Sequence, residues 1–303
     1  SSAASDVYKR QEEETVFHLH GAFLPQLFAV SRYLKQNQLE YIYTPHGGFN
    51  TEALKRSKWK KMIYIWLFEK SVVSNARFVH AIGKSEIEGT KSVFGAASRI
   101  ELIPNGHKPS TSIFPKIWNN GERTNFGFIG RLDIRTKGLD ILLDGFRNFR
   151  QNGGNGVLHI AGSGTDEEQM KSYVRSKGLA DSVVFYGSLF GIYKDQFLSG
   201  IDYLCLTSRN EGLPGVVLEA LETKIPCIVS RETNMGDVIN QANAGFVLES
   251  NDKSNVEQAL SMAVSARKNG VYAKLCANAK RLVSKRFQWS AISNELIQRF
   301  HEK

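Results

Sequence analysis

At 303 residues, 42% hydrophobic and 11% aromatic, the chain is long enough for two α/β domains, and its even composition excludes disordered, collagen-like and fibrous classes. Its 39 basic and 30 acidic residues give a net charge of +9, which favours anionic partners such as nucleoside diphosphates, acidic lipid or nucleic acid without choosing among them. Cys205, Cys227 and Cys276 lie far apart without metal-ligand spacing and read as reduced core residues of a cytosolic protein, while the longest apolar run, Met62 to Phe68, falls far short of the roughly 20 residues that cross a bilayer.

The leader Ser1 to Gln11 reads as foreign to the fold: Asp6 to Gln11 resembles a translated sequencing adapter, although a natural disordered tail fits the composition equally. From Thr15 onward, short β-rich runs alternate with helical patterns, the signature of βα units that feed a parallel sheet. Strands are expected at Thr15–Leu19, Tyr41–Tyr43, Phe78–Ala81 and Ile100–Ile103. The Pro, Asn and Gly density from Pro104 to Gly121 then marks a linker. A second series follows at Asn125–Ile129, Val157–Ala161, Val183–Tyr186, Tyr203–Leu206, Cys227–Ser230 and Phe246–Leu248. Helices are expected at Gly138–Arg150, Asp166–Lys177, Gly215–Leu221, Ser254–Arg267, Tyr272–Lys285 and Ser290–Glu302. The organisation is therefore a leader over 1–11, a first domain over 12–112 and a second over 113–289, with the last helix, 290–303, returning to the first. That first domain, with fewer strands, reads as lacking its opening βα units.

The strongest chemical signal is Ser208-Arg209-Asn210-Glu211-Gly212-Leu213-Pro214-Gly215-Val216-Val217-Leu218-Glu219, directly after an apolar strand. A Gly-rich loop leading into a helix, with Pro214 suited to its first turn, makes an anion-binding helix N-terminus that fits a diphosphate. Glu219 lies five residues on, about 7.5 Å along the helix at about 1.5 Å per residue, far enough to span from phosphate to ribose. Glu211, in the loop, would reach sugar hydroxyls. Spacing alone fits two surface glutamates near a helix start equally well. A second constellation, Phe126-Gly127-Phe128-Ile129-Gly130-Arg131-Leu132-Asp133-Ile134-Arg135-Thr136-Lys137-Gly138, ends a buried strand with two cations, which suit a leaving diphosphate or solvent. In the first domain, His46 in Thr44-Pro45-His46-Gly47-Gly48 follows a strand, and His18 and His20 close another.

Taken together, these residues resemble the family-four retaining glycosyltransferases of the GT-B fold. Gly130-Arg131-Leu132 with Lys137-Gly138 is similar to that family's phosphate loop, and Glu211 with Glu219 to its two-glutamate donor motif. Ile103-Pro104-Asn105-Gly106, Ala161-Gly162-Ser163-Gly164 and Phe287…Trp289 extend the likeness to the C-terminus, with a departure at His107-Lys108. The resemblance implies an α/β chain of two Rossmann-like domains with parallel sheets facing a cleft, the N-terminal one truncated. It implies that Arg131 and Lys137 stabilise the departing nucleoside diphosphate without a metal or cofactor. Glu219 would hold the ribose, Glu211 would contact the sugar, and His46 would stand near the transferred sugar. Gly130, Gly212, Leu213, Pro214 and Gly215 would complete the donor loop.

The expected activity is retaining transfer of a sugar from a nucleotide-sugar donor to a glycan or lipid-linked acceptor, as in cell-surface polysaccharide or glycolipid synthesis. A truncated acceptor side leaves it open that this chain alone is inactive. The alternatives are a sugar-nucleotide epimerase of the same fold or a non-catalytic basic module for anions or membranes. No nucleic-acid partner is expected, since no such motif appears. Lys55, Arg56, Lys58, Lys60 and Lys61 lead into Met62–Trp66, either to meet anionic lipid headgroups or as a solvated start to a core-facing segment. The first alternative places the protein in the cytoplasm, peripherally at the inner face of the membrane.

Overall fold

The computed structural model describes residues 15–301 apart from 56, 97, 109–113, 115–117, 119, 120 and 122. The leader expected over 1–11, with Arg56, Pro109, Ser110, Asn119 and Asn120, lies outside them. The described residues divide into two compact units, one running to Pro104 and resuming at Asn294, the other being Asn105–Ser293.

The first unit is built on β1 (Phe17–His20), α1 (Pro25–Gln36), β2 (Tyr41–Thr44), α2 (Thr51–Lys55), α3 (Lys58–Tyr64), a π-helical turn (Ile65–Glu69), α4 (Lys70–Asn75), β3 (Phe78–Ala81), α5 (Lys84–Phe94) and β4 (Ile100–Leu102). Its strands pair in chain order and in parallel, with Phe17 opposite Tyr41, Ile42 opposite Phe78 and Val79 opposite Ile100. β2 and β3 are buried along their whole length, as central parallel strands must be when helices cover both faces. Tyr41, Tyr43, Phe49, Val72, Val73 and Val79 are among the side chains that fill the core.

The second unit comprises β5 (Thr124–Ile129), α6 (Ile134–Lys137), α7 (Leu139–Gln151), β6 (Gly156–Ala161), α8 (Glu167–Ser176), β7 (Val183–Phe185), α9 (Ile192–Gly200), β8 (Tyr203–Leu206), α10 (Gly215–Glu222), β9 (Cys227–Val229), α11 (Gly236–Ala242), β10 (Gly245–Val247), α12 (Lys253–Lys268) and α13 (Val271–Arg286). Among the described residues its parallel sheet has the order β10-β9-β8-β5-β6-β7, the doubly wound plan of a Rossmann fold. Each strand falls within about two residues of its expected position, because unbroken apolar runs bounded by Gly and Asn admit little else. One local expectation is corrected. Pro214 does not occupy the first helical turn but precedes it in an extended conformation, φ −73° and ψ 109°, and α10 starts at Gly215.

The final helix, α14 (Trp289–His301), begins in the second unit and ends in the first, where the Arg77 guanidinium lies 4.8 Å from the Phe300 ring centroid.

Candidate functional site

In the second sheet β5 lies between β6 and β8. The chain leaves β5 for β6 on one side and later returns to β8 on the other, so the winding direction reverses between β5 and β8. In such sheets the crevice outside the carboxyl ends of the two diverging strands is where ligands bind. The register Phe126 to Tyr203 and Gly127 to Leu204 brings the loops that follow, 130–138 and 207–214, to the same edge although about 75 residues separate them.

Glycines let these loops touch through their backbones. Gly138 adopts φ +62°, and a Cβ there would lie 2.0 Å from the Thr207 carbonyl oxygen; the Thr207 hydroxyl in turn donates to the Gly138 carbonyl at 2.9 Å. Behind them, a Cβ at Gly162 would come within 1.8 Å of the Gly130 oxygen, and one at Gly164 within 2.2 Å of the Leu132 oxygen. Arg209 adds a bidentate pair with Asp140 at 2.9 and 2.7 Å, while its backbone N–H donates to Thr136. Asn234 donates to the carbonyls of Glu211 and Gly212, and Asn251 to those of Thr207 and Ser208.

Of the site residues read from sequence, the structure joins Lys137 and Glu211 directly: Nζ and Oε1 are 2.6 Å apart, both side chains more than four-fifths buried. The Ser208 hydroxyl donates to the same Glu211 oxygen at 2.7 Å. Glu219 stands apart from that pair, on α10, with its carboxylate 2.7 Å from Lys194 Nζ. Arg131 is 65% exposed and turned to Asp133 at 3.2 Å. At the start of α10 the N-cap Pro214 supplies no side-chain cap, and the space beside Gly215 is open. Gly212, Leu213 and Pro214 lead from Glu211 into α10 at Gly215, and Gly130 joins the end of β5 to Arg131; a helix start with cations on the neighbouring loop is suited to a diphosphate.

In the first unit His46 takes a left-handed conformation, φ 50°, and its Nε2 lies 2.9 Å from Nδ1 of His20 at the end of β1. Burial, reinforced by the nearby His20, holds the His46 imidazole below its ordinary pKa, and His18 is pushed down to about 4, mainly by burial. Two buried carboxylates unforeseen from sequence hold the loops that carry these rings. Glu86, on α5, accepts from the backbone N–H groups of Gly47 and of Ile82, the latter at 3.1 Å. Glu69, turned inward by the π turn, accepts from the N–H of Phe23 at 3.2 Å and from the Tyr43 hydroxyl. Burial raises the pKa of both carboxyls against these hydrogen bonds. Lys194 was also unforeseen, since a lysine in an exposed helical turn has no distinctive spacing. Among the described residues no group of three or more His, Cys, Asp or Glu side chains is arranged to hold a metal ion.

Residues 110–282 match the family described as glycosyl transferases group 1, and residues 6–110 match glycosyltransferase family 4. The lipopolysaccharide 1,6-galactosyltransferase of Escherichia coli K12 is 35% identical over 136 residues, 44% of this chain and 37% of that enzyme. The phosphatidyl-myo-inositol mannosyltransferase of Mycobacterium leprae is 26% identical over 291 residues, 93% of this chain and 72% of its own length. The chain thus spans well under half of the first relative. Among solved structures, Anabaena Alr3699/HepE in complex with UDP superposes with a TM-score of 0.74 at 16% identity, covering 98% of this chain and 81% of that one. At that identity the likeness shows the fold, which is that of the GT-B glycosyltransferases.

Proposed function

The chain belongs to the glycosyl transferases group 1 family, and we propose that the protein moves a sugar from a nucleotide-sugar donor to a glycan or lipid-linked acceptor with retention of anomeric configuration. The observation that carries this is the convergence of Lys137, Glu211 and the start of α10 at the crevice between β5 and β8. UDP bound to the Anabaena neighbour supports a nucleoside diphosphate there. The two curated relatives, named for lipopolysaccharide and phosphatidyl-myo-inositol, support a lipid-linked acceptor.

In this reading the diphosphate sits against the amides of Gly215 and its neighbours, with Lys137 and Arg131 closing on its oxygens. As the bond from the sugar C1 to the phosphate oxygen breaks, charge develops on the diphosphate, and fixed cations stabilise that charge more than the ground state. The acceptor oxygen bonds to C1 on the face the leaving group vacates, and its proton passes to the diphosphate. Glu211 orients the sugar hydroxyls, and Glu219 exchanges Lys194 for the ribose. These cations do the work often given to a metal, so activity is expected to survive chelation.

The test is a panel of UDP-, GDP- and ADP-sugars read by thermal stabilisation and by release of free nucleoside diphosphate, with and without a chelator. At least one nucleotide should stabilise the protein by several degrees, with chelator making no difference. Stabilisation by none would overturn the donor site; loss on chelation would overturn the metal-free mechanism.

A further inference from the structure

The helix from α3 through the π turn has two unlike faces. Tyr64 and Phe68 look inward, ring centroids 5.9 Å from Phe23 and 5.2 Å from Phe28, and Ile65 and Glu69 are buried. The opposite face carries Trp59 at 83% exposure, Trp66 at 74% and Ile63 at 59%, with Met62 and Leu67 also exposed beside them. At about 100° per residue, positions 59, 62, 63, 66 and 67 fall on one stripe. Among the described residues of this unit the two indoles are the most exposed large apolar side chains, and contiguous exposed apolar patches mark interaction sites. Exposed Lys58, Lys60 and Lys70 border the stripe. Lys61 instead turns back, donating to the Ala53 carbonyl and lying 5.0 Å from the Phe23 ring centroid. Within Met62–Trp66, the core-facing segment read from sequence, Tyr64 and Ile65 face inward, whereas Met62, Ile63 and Trp66 are exposed.

We propose that this face seats the protein on an anionic membrane surface, with Trp59, Ile63 and Trp66 entering the boundary between headgroups and acyl chains and Lys58, Lys60 and Lys70 meeting lipid phosphates. Charge complementarity selects this occupant over a neutral one: the cations frame the apolar stripe as in helices that lie in the plane of a bilayer, and tryptophan prefers that depth. The proposal deepens, and rests on, the reading of a lipid-linked acceptor, since it names the surface that would bring the enzyme to it.

Co-sedimentation with phosphatidylglycerol–phosphatidylcholine vesicles, against pure phosphatidylcholine, tests it on the full chain. The protein should bind the anionic vesicles with a blue shift in tryptophan emission, and bind the neutral ones much less. Trp59→Ser with Trp66→Ser should weaken binding at least about tenfold and abolish the shift. Lys58→Gln with Lys60→Gln should weaken it roughly fivefold per lysine at low salt and flatten its salt dependence. All four side chains are exposed, so folding should persist. Failure of the unaltered protein to bind anionic vesicles, or equal binding by the double tryptophan variant, would overturn the proposal. So would a dimer in light scattering that dissolves in that variant, which would assign the face to a second copy. Calorimetry with UDP and GDP on the same samples separates the two claims: vesicle binding without binding of either diphosphate sinks the donor reading, and the converse sinks this one.

Discussion

In the second unit the loops carrying Lys137 and Glu211 meet backbone to backbone, Gly138 against Thr207, with Arg209 and Asn251 stitching the edges. In the first, the loops carrying His20 and His46 are tied to the body by two buried carboxylates, Glu69 and Glu86. The contrast separates two ways of holding a site. A glycine-mediated contact fixes the loop and leaves its side chains available to a ligand. A buried carboxylate fixes the loop with one group whose loss strands at least two donors at once, the N–H groups of Gly47 and Ile82 at Glu86 and the Phe23 N–H and Tyr43 hydroxyl at Glu69.

Gly138→Ala should have the largest effect on ligand binding. Its left-handed backbone costs about 1–2 kcal/mol for an L side chain, and the added Cβ must also displace Thr207. The melting temperature should fall by several degrees and nucleoside-diphosphate affinity by at least about tenfold; unchanged affinity would mean that the two loops are not interdependent. Glu86→Ala comes next. It leaves the N–H groups of Gly47 and Ile82 without their acceptor at about 1–3 kcal/mol each, so the first unit should lose amide-exchange protection around residues 45–50. Diphosphate affinity should stay within about twofold, and Glu86→Gln should recover part of the protection. If affinity falls with it, the division of labour between the units is broken.

Acid gives a smaller, graded effect. His159 stacks on Trp118 at 4.1 Å, its Nδ1 lies 2.8 Å from the Tyr186 hydroxyl and its Nε2 3.1 Å from Asn125 Oδ1, which suits a neutral ring. Burial pushes it, like His18, down to about 4. Between pH 6.5 and 4 the unfolded chain therefore binds protons that the folded one refuses, so this part of the stability is present above pH 6.5 and is lost as pH falls towards 4. Urea unfolding across that window should be shallower in His159→Gln; an unchanged slope would contradict the assignment. The smallest effect belongs to Lys194→Ala. The Lys194–Glu219 pair is about one-third exposed and contributes about 0.2–1 kcal/mol, so stability should barely move. Affinity for a bare diphosphate should change by less than about threefold in calorimetry; a larger loss would place Lys194 on the phosphates.

Much of this was legible in the sequence because parallel strands buried on both faces leave unbroken apolar runs, and because the glycine-bearing loops that follow two of them, 130–138 and 208–215, stand out by composition. The meeting of Lys137 with Glu211 could not be read from spacing, since it depends on β8 lying beside β5, a matter of sheet order. Glu69 and Glu86 were invisible for another reason. Each looks like an ordinary helical glutamate until burial shows otherwise, and in Glu69 the π turn breaks the 3.6-residue period that would have placed it on a face.

The central claim is that the β5–β8 crevice holds a nucleoside diphosphate through Lys137 and Arg131. Isothermal titration calorimetry of UDP and GDP against the unaltered chain, Lys137→Ala and Arg131→Ala tests it most directly. Charged hydrogen bonds contribute about 1.5–3 kcal/mol each, so each variant should bind at least about tenfold more weakly than the unaltered chain. Equal affinity for every diphosphate in all three proteins would contradict the assignment.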